Sequence, residues 1–320
     1  MRKDIGIIGC GLIGRKRALC YPERVKTVFD INAELTLALS EEVRCVAATT
    51  LEQVICDEDI RYLIIAVPHK MLFSIAKEAI FKGKNLLIEK PGCISLDEAK
   101  KMQELSINNK GLKIHIGFNH RFHPSFIEIK KELEKRNFGE LMFIRGRYGH
   151  GGRIGYEKEW RADKNISGGG ELIDQGSHLI DLSLVFDDGF NLNSHILDTY
   201  FWDMEVEDNA FITLKSKKAI SWLHASWTEW KNLFSFEIFY EKAKFHVEGL
   251  GGSYGNEKLT KYFMTEEMGI PKIIEQTFKE TDLSWKHELD CLIGEQQKHM
   301  KPCSINDLVK TWSIIEEAYK

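Results

Sequence analysis

The chain has 320 residues, 43% hydrophobic and 29% charged, a globular composition that excludes a disordered or collagen-like protein and suggests about two domains. Its 44 basic and 48 acidic residues give a formal net charge of −4, which argues against a general nucleic-acid binder. The 7 cysteines (Cys10, Cys20, Cys45, Cys56, Cys93, Cys291 and Cys303) are odd in number, contain no C-x-x-C pair and fit no zinc pattern, as expected of free thiols in a reducing cytoplasm.

Arg2 and Lys3 precede an apolar stretch ending at Cys10, but that stretch falls short of a signal peptide's core of roughly 7–15 residues. No apolar run approaches the roughly 18 residues of a membrane span, so no membrane partner is expected. Asp4–Ile8 reads as a strand, a glycine-rich turn follows, and Leu12–Cys20 reads as a helix. Val25–Phe29, Cys45–Ala48, Tyr62–Val67, Asn85–Ile88 and Lys113–Gly117 read as further strands. Helical stretches at Asn32–Leu39, after the capping box Thr50–Gln53, at Met71–Phe81 and after the capping box Ser95–Glu98 alternate with them. This alternation predicts a doubly wound parallel sheet.

Beyond residue 120 the pattern changes. Ser125–Arg136 and Leu172–Phe186 read as helices and Leu141–Tyr148 as a strand. Strands then dominate from Leu192 to Thr265, among them Asp208–Leu214, Ala219–Trp227, Phe234–Tyr240 and Ala243–Glu248, before helices at Leu283–Lys298 and Ile305–Tyr319. The expected division is an α/β Rossmann domain over 1–120 and an α+β domain with a large, open-faced, mainly antiparallel sheet over 121–320.

Gly9-Cys10-Gly11-Leu12-Ile13-Gly14 joins the first strand to the first helix. Gly9 permits the tight turn, Gly11 lets the backbone approach a pyrophosphate, and Gly14 allows close helix–strand packing. Asp30, at the end of the second strand, is placed to accept hydrogen bonds from ribose hydroxyls and to repel a ribose phosphate. No Arg or Lys follows it directly, which favours NAD over NADP.

Glu89-Lys90-Pro91 follows the fifth strand, whose carboxyl end borders the ligand crevice of such sheets; a cis bond before Pro91 would fix a tight turn there. A surface lysine before a turn fits the same three residues. Asp174, His178 and Asp181 fall at i, i+4 and i+7, on one face of a helix, so that Asp174 could orient His178 as a general base. A capping Asp and a core His are the alternative. His115, His120 and His123 cluster without a completing carboxylate or cysteine; they read as crevice lining or hydrogen-bonded core, and no metal site is expected.

In this order the motifs resemble the Gfo/Idh/MocA family, the glucose-fructose oxidoreductase and inositol dehydrogenase type. The matching residues are Gly9, Gly11 and Gly14; Ala66-Val67-Pro68; Glu89-Lys90-Pro91; Arg121-Phe122-His123-Pro124; Trp160-Arg161; and the run from Gly168 through Asp174 and His178 to Asp181. The resemblance implies hydride transfer between a nicotinamide and a sugar, cyclitol or nucleotide-linked sugar carbon. It implies cofactor contacts at Gly9, Gly11, Leu12, Ile13, Gly14, Asp30, Ala66, Pro68, Glu89 and Lys90. Lys90 would meet the reacting oxygen, His178 would take its proton, and Asp174 would orient His178. Arg121, His123, Trp160 and Arg161 would join Lys90, Asp174 and His178 around the substrate. It also implies a homodimer or homotetramer paired through the C-terminal sheet. Two positions depart from the pattern: His69 and Leu72 hold slots often filled by Asn and His, and His120 precedes Arg121.

The Gly-rich stretch Tyr148–Arg161 reads as a binding loop that adds Arg153 and Tyr156 to the candidate substrate contacts. With Arg145, Arg147 and Arg161 it could recognise an anionic sugar, or its arginines could simply pair with Glu157, Glu159 and Asp163. Trp222, Trp227 and Trp230 could stack on a sugar; the family's sheet pairing favours a subunit interface. Two rival functions remain on the same fold: a glycosidase that uses bound NAD transiently, and a non-enzymatic sugar sensor.

Overall fold

The computed structural model describes residues 2–265, 267, 269–278, 282–294 and 298–320. Six parallel strands, β1 (Ile5–Ile8), β2 (Val25–Phe29), β3 (Val46–Ala47), β4 (Tyr62–Ile65), β5 (Asn85–Glu89) and β6 (Ile114–Gly117), form the first sheet in the order β3-β2-β1-β4-β5-β6. The order reverses between β1 and β4, and at such a switch point the carboxyl ends of the strands open a crevice. β1 and β4 are buried along their whole length, as strands covered by helices on both faces must be.

The connecting helices are α1 (Leu12–Ala18), α2 (Ala33–Val43), α3 (Leu51–Ile55), α4 (His69–Phe81) and α5 (Leu96–Asn108). Both expected capping boxes start helices. Thr50 accepts the Gln53 N–H while Gln53 Oε1 accepts the Thr49 N–H, and Ser95 accepts the Glu98 N–H while Glu98 accepts the Ile94 N–H.

The chain divides into two compact units, Met1–Asn119 with Trp285–Trp312, and His120–Ser284 with Ser313–Lys320. The division differs from the 121–320 expectation in its last segment. Helix α9, Ser284–Ile293 in a chain numbered α1 to α10, lays Leu289 and Leu292 into the cluster of Ile5, Ile7, Ile64 and Leu87. Its Glu288 binds Arg17, and Cys303 bridges to Ile116 on β6. The first sheet's apolar surface is thus completed by a segment far away in sequence. The expected helix Leu283–Lys298 ends at Ile293, before Gly294 at φ 108°; positions 295–297 lie outside the described residues.

In the second unit, α6 (Pro124–Lys135), α7 (Lys164–Ser167) and α8 (Ser177–Phe186) accompany eight strands: β7 (Leu141–Gly149), β8 (Asn191–Asp198), β9 (Asn209–Lys215), β10 (Ile220–Ser226), β11 (Leu233–Tyr240), β12 (Ala243–Glu248), β13 (Glu257–Phe263) and β14 (Lys272–Phe278). The sheet order is β14-β13-β12-β11-β7-β10-β9-β8. β7 and β10 run parallel, and the other neighbours described are antiparallel. One face is buried, with α8 held on it through Ser183 and Ser221, whose hydroxyls lie 3.0 Å apart. The last helix is α10 (Ile305–Ala318).

Candidate functional site

In the first unit the glycine loop has the geometry expected of it. Gly9 sits at φ 93°, and a Cβ there would collide with the Ala66 carbonyl. A Cβ on Gly14 would collide with the Gly9 carbonyl, whereas one on Gly11 would meet nothing within 4 Å. Gly11 is also the N-cap of α1, so open backbone lies where free helix N–H groups begin. This cradle fits a pyrophosphate.

Asp30 binds the loop directly: Oδ2 accepts the Cys10 N–H at 2.7 Å and Oδ1 accepts the Asn32 N–H at 2.8 Å. Burial, and then the Asp30 charge, push the Cys10 thiol up to about 12, so it stays protonated. Leu12 is largely exposed and Ile13 half-buried beside the loop. Ala66 donates its N–H to Ile8, and the exposed Pro68 caps α4, where His69 is buried.

The side chain of Glu89, expected among the cofactor contacts, is engaged by Arg17. Its Oε1 accepts the Arg17 Nε–H at 2.6 Å, while Arg17 Nη2 donates to Glu288 at 2.5 Å and the guanidinium lies 4.6 Å from the Trp285 ring centre. Arg17 is wholly buried, so Glu89 anchors the helix behind the glycine loop. Lys90 is partly exposed at the end of β5, the Lys90–Pro91 bond is cis, and the Pro91 carbonyl accepts the Trp312 indole N–H.

In the second unit Asp174 and His178 do not share one regular helix. Leu172–Gly176 is a π-helical turn and α8 begins at Ser177, so the i, i+4, i+7 face is interrupted. Asp181 instead binds Arg121 through both oxygens, at 2.8 and 2.5 Å. Asp174 lies 3.4 Å from Arg161, whose guanidinium stacks 4.5 Å from the Trp160 ring centre.

The His178 ring stacks on that of His120, centroids 3.8 Å apart and planes 30° from parallel. Tyr148 packs against both rings. The Tyr254 hydroxyl accepts an N–H from Gln175 at 3.1 Å. Burial holds the Tyr148 hydroxyl well above its ordinary pKa and pushes Tyr254 up to about 12, so both act as neutral phenols.

Several expected substrate contacts are placed otherwise. Arg121 and His123 are buried; His123 Nδ1 meets Glu257 at 3.0 Å. Tyr156 lies in an apolar cluster with Trp227 and Val206. Arg153 pairs with Glu159 at 2.6 Å and is otherwise exposed. Arg145 and Arg147 sit on the face of β7 opposite Tyr148, with Arg145 bound to Glu237 at 2.8 Å. His115 lies on β6 of the first unit, whereas His120 and His123 belong to the second; burial lowers the His115 pKa to about 4. No set of three His, Cys, Asp or Glu side chains suited to a metal occurs among the described residues. The sequence reading took His120 as crevice lining or core and Tyr148 as the start of the binding loop; it singled out neither Gln175 nor Tyr254, and no local signal marks the contact between them.

Residues 3–118 match the family model for an oxidoreductase family with an NAD-binding Rossmann fold, and residues 126–246 match the GFO/IDH/MocA C-terminal domain. Levoglucosan dehydrogenase of Pseudarthrobacter phenanthrenivorans is 27% identical over 213 residues, 62% of this chain and 54% of that protein. Glucose-6-phosphate 3-dehydrogenase of Bacillus subtilis is 33% identical over 190 residues, 56% of this chain and 52% of that protein. The chain thus spans about half the length of these curated relatives. Among solved structures, levoglucosan dehydrogenase in complex with NADH superposes with a TM-score of 0.84 at 19% identity, covering 100% of this chain and 97% of that one. UDP-N-acetylglucosamine 3-dehydrogenase of Acidithiobacillus ferrooxidans gives 0.81 at 19% identity, covering 99% and 97%.

Proposed function

The chain belongs to the GFO/IDH/MocA family of oxidoreductases, and from that premise we propose that it is an NAD-dependent dehydrogenase acting on a secondary alcohol of a sugar, cyclitol or nucleotide-linked sugar. The glycine cradle carries the proposal: Gly9 and Gly14 leave no room for a side chain, Gly11 is open, and Asp30 is fastened beside them. NAD, when bound, supplies the hydride acceptor.

The chain's own residues supply the rest. Gly9, Gly11 and Gly14 bring backbone to the pyrophosphate, with Leu12, Ile13, Ala66 and Pro68 around them. Asp30 binds the ribose hydroxyls and repels a ribose phosphate, which selects NAD over NADP. Lys90 stabilises negative charge growing on the substrate oxygen. His178 accepts the hydroxyl proton, and Asp174, with Arg161 beside it, orients and balances the imidazole. Arg121 and His123 act from behind, by fixing Asp181 and Glu257. Arg153 and Trp160 border the substrate loop.

The pairing of Arg145, Arg153 and Arg161 with carboxylates favours a neutral reacting sugar over a phosphorylated or acidic one. Seven free thiols suit a cytoplasmic setting. A homodimer or homotetramer would pair through the outward face of the eight-stranded sheet, which carries Phe211, Trp222, Phe143 and Phe239.

The test is NADH formation against neutral sugars, cyclitols, sugar acids and nucleotide sugars, each with NAD and with NADP. Steady NADH growth with one class is expected. His178→Ala and Lys90→Ala should each lower turnover by about 10²–10⁴-fold with NAD binding nearly intact. No NADH from any class despite measurable NAD binding, or full turnover in His178→Ala, would overturn the proposal.

A further inference from the structure

We propose that Tyr319 and Glu207 are positioning residues: together they clamp the start of the π turn and so fix where Asp174 and His178 stand; this rests on the roles given to those two residues above. The turn spans Leu172–Gly176, and the N–H groups leading into a helical turn need acceptors from outside it. Glu207, two residues before β9, supplies them. Its Oε2 accepts the Gly170 N–H at 3.2 Å, its backbone carbonyl accepts the Glu171 N–H at 3.0 Å, and its Oε1 accepts the Leu172 N–H at 3.0 Å. The Gly170 carbonyl in turn accepts the Ile173 and Asp174 N–H groups at 3.1 and 3.0 Å. One residue, Gly170, therefore links the clamp to Asp174.

Tyr319, just past α10, completes the clamp. Its hydroxyl donates to Glu207 Oε1 at 2.6 Å and accepts the Gly170 N–H at 3.3 Å. Two glycines make this approach possible: a Cβ on Gly169 would collide with the Tyr319 hydroxyl, and one on Gly170 with the Glu207 backbone carbonyl. Burial pushes the Glu207 pKa up, and the hydrogen bonds from Tyr319 and from the Leu172 and Gly170 backbone pull against it, so each donor helps to keep a buried carboxylate in its accepting form. Burial, and then the Glu207 charge, hold the Tyr319 hydroxyl well above its ordinary pKa, so it stays a donor. The support is itself fastened. Asp208, the next residue, accepts the N–H groups of Tyr200, Phe201 and Trp202 at 2.9, 2.8 and 3.0 Å, and its carbonyl accepts that of Trp227 at 2.8 Å. All of these groups lie in the second unit.

A general base works only from the right place, and a misplacement of about 1 Å can cost ~10²-fold in rate. Tyr319→Phe keeps the ring and removes the hydroxyl. Glu207→Gln keeps the shape but offers one accepting oxygen in place of two. With the panel sugar that gives the most NADH, turnover per folded molecule should fall about tenfold in Tyr319→Phe and about 10²-fold in Glu207→Gln, while KM and NAD affinity change by less than about threefold. Amide hydrogen exchange across residues 170–172 should speed up in both. Gly169→Ala, which displaces the Tyr319 hydroxyl, should slow turnover about as much as Tyr319→Phe and add little to it in the double variant. Tyr319→Phe and Gly169→Ala keep the test open should Glu207→Gln not fold. Faster exchange with unchanged turnover per folded molecule would reduce the clamp to a structural brace and overturn the proposal, as would exchange and turnover both unchanged. Slower turnover in Tyr319→Phe beside full turnover in His178→Ala would instead overturn the base role of His178 and leave the clamp's hold on turnover standing.

Discussion

Asp30 spends both carboxylate oxygens on backbone before any ribose arrives, one on the Cys10 N–H and one on the Asn32 N–H. It therefore shapes the glycine loop as well as the nucleotide preference. Asp30→Ala should weaken NAD by about tenfold or more, as loss of charged hydrogen bonds costs ~1.5–3 kcal/mol. Loop damage alone would weaken NAD and NADP alike, so the discriminating measurement is the ratio of the two dissociation constants. A ratio that stays fixed would remove Asp30 from cofactor selection. Asp30 and the three glycines were legible in the sequence because each acts through backbone geometry within one strand–turn–helix unit. Arg121 and Asp181 were not: their mutual commitment is a contact across 60 positions, and no local spacing announces it.

Helix α1 is only 7 residues long and has no side-chain cap, so something else must hold it behind the loop. Arg17 does so, joining α1 to β5 through Glu89 and to α9 through Glu288. Replacing Arg17 by Met leaves two buried carboxylates without their cation, a loss of about 3–5 kcal/mol in chemical unfolding. A change below about 1 kcal/mol would mean the three groups do not clamp the helix. Most central strands were legible at this scale, because burial on both faces leaves continuous apolar runs such as Tyr62–Ile65. The edge strand β14 was not, since it is largely exposed and carries no alternation to read, and β8 fell inside the strand-rich stretch without bounds of its own for the same reason. The π turn was missed for a related reason: its extra residue per turn has no composition of its own, yet it changes where Asp174 projects relative to His178.

The outward face of the eight-stranded sheet carries cross-strand aromatic stacks, Phe143 on Phe239 and Phe211 on His224, each with centroids 4.1 Å apart. Trp222 lies between them in register, opposite Arg145 and Thr213, and is 40% exposed. The proposed subunit pairing would use this aromatic face. Trp222→Glu should convert the proposed dimer or tetramer to monomer in light scattering, and a wild-type monomer at micromolar concentration would sink the pairing. The two-sheet architecture was legible from the switch between alternating and strand-rich stretches. The return of Trp285–Trp312 to the first unit was not, because an amphipathic helix shows that it has an apolar face but not which sheet will cover it. That return has a consequence for the newborn chain. Ribosomes deliver Leu289 and Leu292 after more than two hundred residues of intervening sequence, so the nucleotide half waits with part of its apolar surface bare while the second unit is synthesised. Completion of that half is therefore tied to the synthesis of residues 285–312, and ribosomes stalled before that point would hold a half-finished client for chaperones rather than a folded cofactor-binding domain.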